Sequence, residues 1–453
     1  MPGAFRASAT CATSTFVTIM SIRLLYRLTA SLVVIGLIAI ALHLVLSKNN
    51  EPLASAWPDN VEAFLEGHWQ FPMAPQGAPP DGVSSGEASL DAGACGLCHV
   101  SQYEDWRTSR HSQTMNPGIR WQFHVFSQAE SNKCMDCHAP LAEQKALVAQ
   151  ELEWANTPTA APPDYVPPGM HRQGLTCAAC HVRRHERFGP EHRQGLSGTE
   201  EGLPHGGFHP RRAFSDSQFC AACHQFPDDG PRLNGKLRQD TYNEWLRSPF
   251  AEQGVTCQDC HMPNRRHLWR GIADPDALRG ALAIQLHGES GDGEGMAVKL
   301  SIANVGAGHH FPSYIVPRID VHLELLDPDG NVRSSVIHHV IQWRASIDLK
   351  REEFDTRLAA GESVNLDGHI RLPGEPGWSL ELRLEVAPKE HYERMYADMM
   401  RQAEHMDAKT VDLLRRAIFE ARQSRYRAVQ ERVPLEEPVS LTLRYPPIDS
   451  LAN

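Results

Sequence analysis

The chain has 453 residues, enough for two or three domains, and a formal net charge of −11. That acidity argues against a nucleic-acid-binding surface and favours basic or neutral protein partners. The basic clusters Ser109-Arg110-His111 and Arg265-Arg266-His267 are too short to reverse it.

At the N-terminus an apolar stretch over 28–46 follows Arg6, Arg23 and Arg27. Its length spans a bilayer, and the arginines before it keep the N-terminus cytoplasmic and the remainder outside. It reads as an anchor or as a cleaved signal. Its length favours the anchor, whereas Ala54-Ser55-Ala56 offers a cleavage site. Met20 is an alternative start that would leave Cys11 out of the mature chain. Cys11 precedes the apolar run, so it is no lipid attachment point. Residues 1–50 are assigned to a leader with a transmembrane signal-anchor, and 51–91 to a linker. Within the linker, 62–69 suggests a short helix and 70–90 is rich in Pro and Gly.

From residue 92 to 275 the chain carries Cys-x-x-Cys-His five times, at intervals of about forty residues. The copies are Cys95-Cys98-His99, Cys134-Cys137-His138, Cys177-Cys180-His181, Cys220-Cys223-His224 and Cys257-Cys260-His261. They use ten of the eleven cysteines. The spacing is that of c-type haem attachment: two thiols reach the vinyl groups on one porphyrin edge, and the following His ligates iron. A zinc site needs two Cys pairs converging on one metal and has no use for the invariant His. A disulfide framework suits small secreted chains, and a thioredoxin-like pair would occur once. The region is therefore expected to hold five covalent haems c in a mainly α-helical and irregular domain. Short helices are expected at 103–109, 141–154 and 241–246, and loop at 156–169. Such attachment takes place outside the bacterial inner membrane, in agreement with the leader. Haem propionates are the expected neighbours of the two basic clusters.

Residues 276–453 change to alternating, β-branched sequence. Seven strands are expected, at 281–287, 296–304, 318–327, 331–343, 363–370, 378–387 and 439–445, with Asp327-Pro328-Asp329-Gly330 a strong turn. This suggests an immunoglobulin-like β-sandwich, interrupted by a helical insertion at about 390–433, and an α+β multidomain chain overall. Val411, Leu414 and Ile418 fall at helical spacing, so the insertion either packs on the sandwich or extends as a docking arm.

Each haem also needs a sixth ligand or keeps an open face. Non-motif histidines in and near the motif region outnumber the haems, so counting does not show whether a site is open. His111, in Trp106-x-x-Ser109-x-His111, is the best candidate. One of His309 and His310 follows, in a Gly-rich loop where backbone can approach a ring closely. His124, His171, His205 and His209 are weaker, and Met115, Met170 and Met262 are alternative thioethers. Trp245-x-x-Ser248-x-Phe250 repeats the first motif with Phe in place of His.

The order of the first motif, Trp106-x-x-Ser109-x-His111, Cys134-x-x-Cys137-His138-Ala139-Pro140 and Gly174-Leu175-Thr176-Cys177 resembles the cytochrome c554 family over about 94–182. The fifth motif is similar to one in the wider hydroxylamine oxidoreductase and nitrite reductase multihaem superfamily. Residues 304–312 resemble a Gly-His-x-x-Pro element in related cytochromes where a His ligates haem. The resemblance implies that His111 is a distal ligand and that the chain passes electrons in a respiratory chain. A Cys-x-x-Cys-Lys haem, used by catalytic relatives, does not occur. Single-electron transfer between a quinol-linked or periplasmic donor and a downstream acceptor is thus the first expectation. A haem enzyme with one five-coordinate iron, acting on a small nitrogen or sulfur compound, is the alternative.

Overall fold

The computed structural model describes residues 57–191, 204–290, 295–436 and 438–447. The leader expected over 1–50 and the Ala54-Ser55-Ala56 site lie outside the described residues. Among the described residues no helix is long and apolar enough to cross a membrane.

The motif region is built from short helices joined by irregular chain. They are α1 (Val61–His68), α2 (Ala92–Gly96), α3 (Val100–Thr108), α4 (Gln128–His138), α5 (Ala142–Glu151), α6 (Cys177–His181), α7 (Gln218–His224), α8 (Thr241–Leu246) and α9 (Cys257–His261). Local sequence starts several of them. Asn60 caps α1, and Ser127 and Thr256 form capping boxes with Glu130 and Asp259. The expected loop at 156–169 is irregular. The stretch expected as a linker is instead folded. Phe64, His68, Ala88 and Leu90 are fully buried, and Met73 packs with Leu141, Tyr165 and Met170. The many prolines of this stretch shape a packed, non-helical path rather than a spacer.

The C-terminal half forms two four-stranded antiparallel sheets. Its strands are β1 (Leu282–Ser290), β2 (Gly295–Asn304), β3 (Arg318–Leu326), β4 (Val332–Ile341), β5 (Trp343–Ala345), β6 (Glu352–Asp355), β7 (Ser363–Arg371), β8 (Ser379–Ala387), β9 (Tyr426–Pro434) and β10 (Val439–Arg444). One sheet has the order β7-β2-β1-β10 and the other β9-β8-β3-β4, while β5 and β6 make a separate hairpin. Alternation decides which face is inside: Ile319, Val321 and Leu323 are fully buried, and they meet Ile284, Leu300 and Ile302 of the other sheet in one core. The chain crosses between the sheets after adjacent pairs: β1-β2 lie in one, β3-β4 in the other, β7 in the first, β8-β9 in the second and β10 in the first. Gly330, at φ +86°, closes the expected turn between β3 and β4.

Between β8 and β9 come α10 (Glu390–Met400) and α11 (Ala408–Gln423). The insertion ends earlier than expected, because 426–433 alternates and pairs with β8 as β9. It also packs elsewhere than expected. Leu413, Leu414 and Ala417 of α11, with Tyr396 of α10, bury Trp121 of the motif region. From Asp59 onward the chain is one compact unit rather than a haem domain and a separable β-domain.

Candidate functional site

Every Cys-x-x-Cys-His copy lies in or at the end of a helix. A spacing of three puts both thiols on one helix face, and the His follows within the same turn. All five copies line a single cavity of about 2790 Å³, several times the size of an ordinary one-ligand pocket. The copies also touch one another: Cys95 lies beside Cys177, Cys137 beside Cys223, and Cys220 beside Cys257. The first copy therefore adjoins the third, the second the fourth, and the fourth the fifth.

Three motif histidines have one ring nitrogen fixed by backbone. Nδ1–H donates to the Thr114 carbonyl from His138 (2.9 Å), to Phe188 from His181 (2.7 Å) and to Arg270 from His261 (2.7 Å). This selects the tautomer whose Nε2 lone pair is free for a metal. Burial pushes His181 and His261 down to about 4, keeping both neutral, as a metal ligand must be.

The non-motif histidines divide by what their nitrogens do. His111, His205, His267, His309 and His391 line the cavity. Three of them face motif histidines. His267 lies 6.2 Å from His181, His111 lies 6.3 Å from His224, and His309 lies 6.4 Å from His261, centroid to centroid. Two imidazoles across one metal, each bonded at about 2 Å, have centroids roughly 6 Å apart. His267 and His309 also have Nδ1 on carbonyls, of Arg265 (3.0 Å) and His310 (2.8 Å). The Nδ1 of His111 is buried without a partner, and burial pushes this residue down to about 3. Trp269 stands edge-on to both His111 and His267, at 4.5 and 5.0 Å. No imidazole stands at such spacing from His99 or His138 among the described residues. His205, its Nδ1 on the Gly207 carbonyl (2.9 Å), couples electrostatically to His99. His391 accepts at Nδ1 from Arg394 (3.2 Å), so its Nε2 carries the proton and is unsuited to a metal.

Other candidates are engaged elsewhere. His310 is held by Glu244, 2.9 Å from its Nδ1. His171 pairs with Glu151 (2.6 Å), His209 with Glu186 (3.4 Å), and His124 lies 4.0 Å from Asp407. Arg266, expected beside a propionate, forms a two-pronged pair with Asp105 (2.7 Å each). Asp105 also accepts from the His267 backbone (3.0 Å), so this pair seats the 265–269 segment. Sequence reading gave His267 no weight of its own. Its signal was the proximity of Arg266-His267 to the fifth motif.

The two Trp-x-x-Ser copies are structurally equivalent. Trp106 Nε1 donates to the Leu175 carbonyl (2.7 Å) and Trp245 Nε1 to that of Val255 (2.9 Å). Each acceptor follows a glycine at φ +73° and stands two residues before a motif. Where the second copy has Phe250, Gly308 packs against Phe250 and Trp245, which brings His309 alongside. A side chain at 308 would come within 3.2 Å of the indole.

The buried neutral imidazoles, the paired thiols and the continuous cavity fit haem c. Residues 94–157 match the family described as cytochrome c554 and c-prime. The fold is similar to that of a penta-haem cytochrome c552 from Thermochromatium tepidum, at 17% identity and a TM-score of 0.53, covering 77% of this chain and 100% of that one. No curated protein matches the chain in sequence.

Proposed function

We propose that this chain, a multihaem cytochrome c, carries five haems, one on each attachment motif, and relays single electrons between redox proteins. The observation that carries this reading is the set of three ring pairs, His181 with His267, His224 with His111 and His261 with His309. Haem c, when bound, supplies one-electron exchange between ferric and ferrous iron. The chain's contribution is to hold, orient and shield. Backbone carbonyls fix three of the motif imidazoles, Trp269 stands against two of the facing ones, and burial keeps His181, His261 and His111 neutral. At those three motifs two imidazoles would hold one iron and leave no position for another ligand, which suits a carrier. The touching motifs link the first site to the third and the second to the fourth and fifth, and one cavity joins all five.

A second reading has one observation in its favour. Among the described residues His138 has no facing imidazole, and Tyr392 of α10 lines the same cavity as this motif. An open iron there would bind a small ligand.

Export to the outer side of the inner membrane is the site that covalent haem attachment requires. Residues 28–46 would tether the chain there, or cleavage after 54–56 would release it. A quinol-linked or periplasmic donor fits either arrangement.

Titration of the reduced holoprotein with carbon monoxide, followed optically, tests both readings. No spectral shift supports a closed carrier, and a shift of one haem equivalent supports the second reading. A shift of three or more equivalents contradicts the ring pairs as ligand pairs.

A further inference from the structure

The outward face of the sheet β9-β8-β3-β4 carries a cluster unconnected with the haem motifs. Asp320 and His322 are two residues apart on β3 and point to one face. His338, on the edge strand β4, is the direct cross-strand neighbour of His322. The two imidazoles are stacked at 4.7 Å with planes 14° apart. His338 Nε2 stands 3.2 Å from Asp320 Oδ1. One ligand atom from each of the three lies within 4.8 Å of the others. On the inward face Ile319, Val321 and Leu323 are fully buried, so the backbone beneath the trio is fixed by core packing.

The trio sits among paired charges. Arg318 donates to both Asp320 oxygens (2.7 and 2.6 Å), and Arg383 lies beside His322 in register. Arg383 is itself paired with Glu324, Glu381 and Glu385, and Arg432 and Arg427 pair with Glu381 and Glu385, so the charges beside the trio are balanced.

We propose that Asp320, His322 and His338 form a surface site for a divalent late transition metal ion, for which Zn²⁺ is the probe. Two imidazoles and one carboxylate are a donor set that Zn²⁺ accepts, with water completing the tetrahedron. Ca²⁺ and Mg²⁺ require oxygen donors and are excluded. Metal bonds of about 2.0–2.2 Å need ligand atoms roughly 3.3 Å apart. The half-exposed His338 side chain has the freedom to close that gap. Arg318 bonds both carboxylate oxygens, which orients the group and leaves each oxygen a further lone pair for a metal. A bound ion would tie the edge strand β4 to β3.

Equilibrium dialysis of the holoprotein against Zn²⁺, with bound metal counted by mass spectrometry, tests the site. Wild type should hold one equivalent more than His322→Ala or His338→Ala, and Ca²⁺ should not replace it. Asp320→Asn should weaken that equivalent at least tenfold. Unchanged haem absorbance in each variant reports an intact fold. Equal Zn²⁺ content in wild type and both His variants, or full displacement by Ca²⁺, would overturn the proposal.

Discussion

His309 and His310 follow one another in the loop after β2, yet only His309 faces a motif histidine, while Glu244 holds His310. His309→Ala should therefore turn one haem from low-spin to high-spin in the oxidised protein. His310→Ala should leave the low-temperature electron paramagnetic resonance spectrum low-spin at that site. Both residues were legible in the sequence as one candidate position. What separates them is a carboxylate on α8, more than sixty residues away, which no local pattern reveals. His267 was hidden for a similar reason. Its orientation comes from Asp105, in a helix beside the first motif. A second residue-scale prediction concerns Glu151. Its hydrogen bond to His171, with Lys409, Arg120 and Arg172 nearby, holds the carboxyl well below the usual range. The stabilisation is complete above the unfolded value of about 4.3 and is lost as pH falls toward the folded value. Thermal melts should show wild type losing stability on acidification below about pH 4.3 more steeply than Glu151→Gln.

The elements were legible where periodicity was clean. All seven expected strands form, within a few residues of their expected ends, because alternation and the Asp327–Gly330 turn are local signals. Strand β9 was missed because Arg and Glu dominate its exposed face beside a long amphipathic helix. That helix, α11, was recognised by its spacing but not by its destination, since its partner Trp121 lies nearly three hundred residues earlier. Leu414, fully buried there, tests the contact. Leu414→Ala should cost about 2–5 kcal/mol in denaturant unfolding. Gly118→Ala should loosen the same junction, because a Cβ there would stand 2.3 Å from the Tyr396 hydroxyl. The Trp106 and Trp245 elements share their indole-to-carbonyl bond and their glycine, and differ at His111 and Phe250. In the second copy the missing His is replaced from the sandwich. Glu244 secures that replacement, receiving the His310 backbone N–H (3.0 Å) and facing the buried Arg357 (3.4 Å). Glu244→Gln should raise the high-spin fraction of the fifth site in the same resonance spectrum, with smaller effect than His309→Ala.

At the scale of the molecule, motif region and sandwich are one unit, because the sandwich supplies His309 and its insertion buries Trp121. Composition marked the change from helix to strand near residue 276 but not this interdependence. Boundary signals report local sequence, whereas the contacts join segments far apart in the chain. The attachment motifs themselves were fully legible, since five identical spacings need no tertiary context. Their mutual arrangement was not, because Cys95 meets Cys177 and Cys137 meets Cys223 across long intervals. Spin quantitation by low-temperature electron paramagnetic resonance of the oxidised holoprotein tests most directly whether motif histidines 181, 224 and 261 share their irons with His267, His111 and His309. If they do, at least three haems per chain are low-spin. Three or more high-spin haems would contradict that sharing.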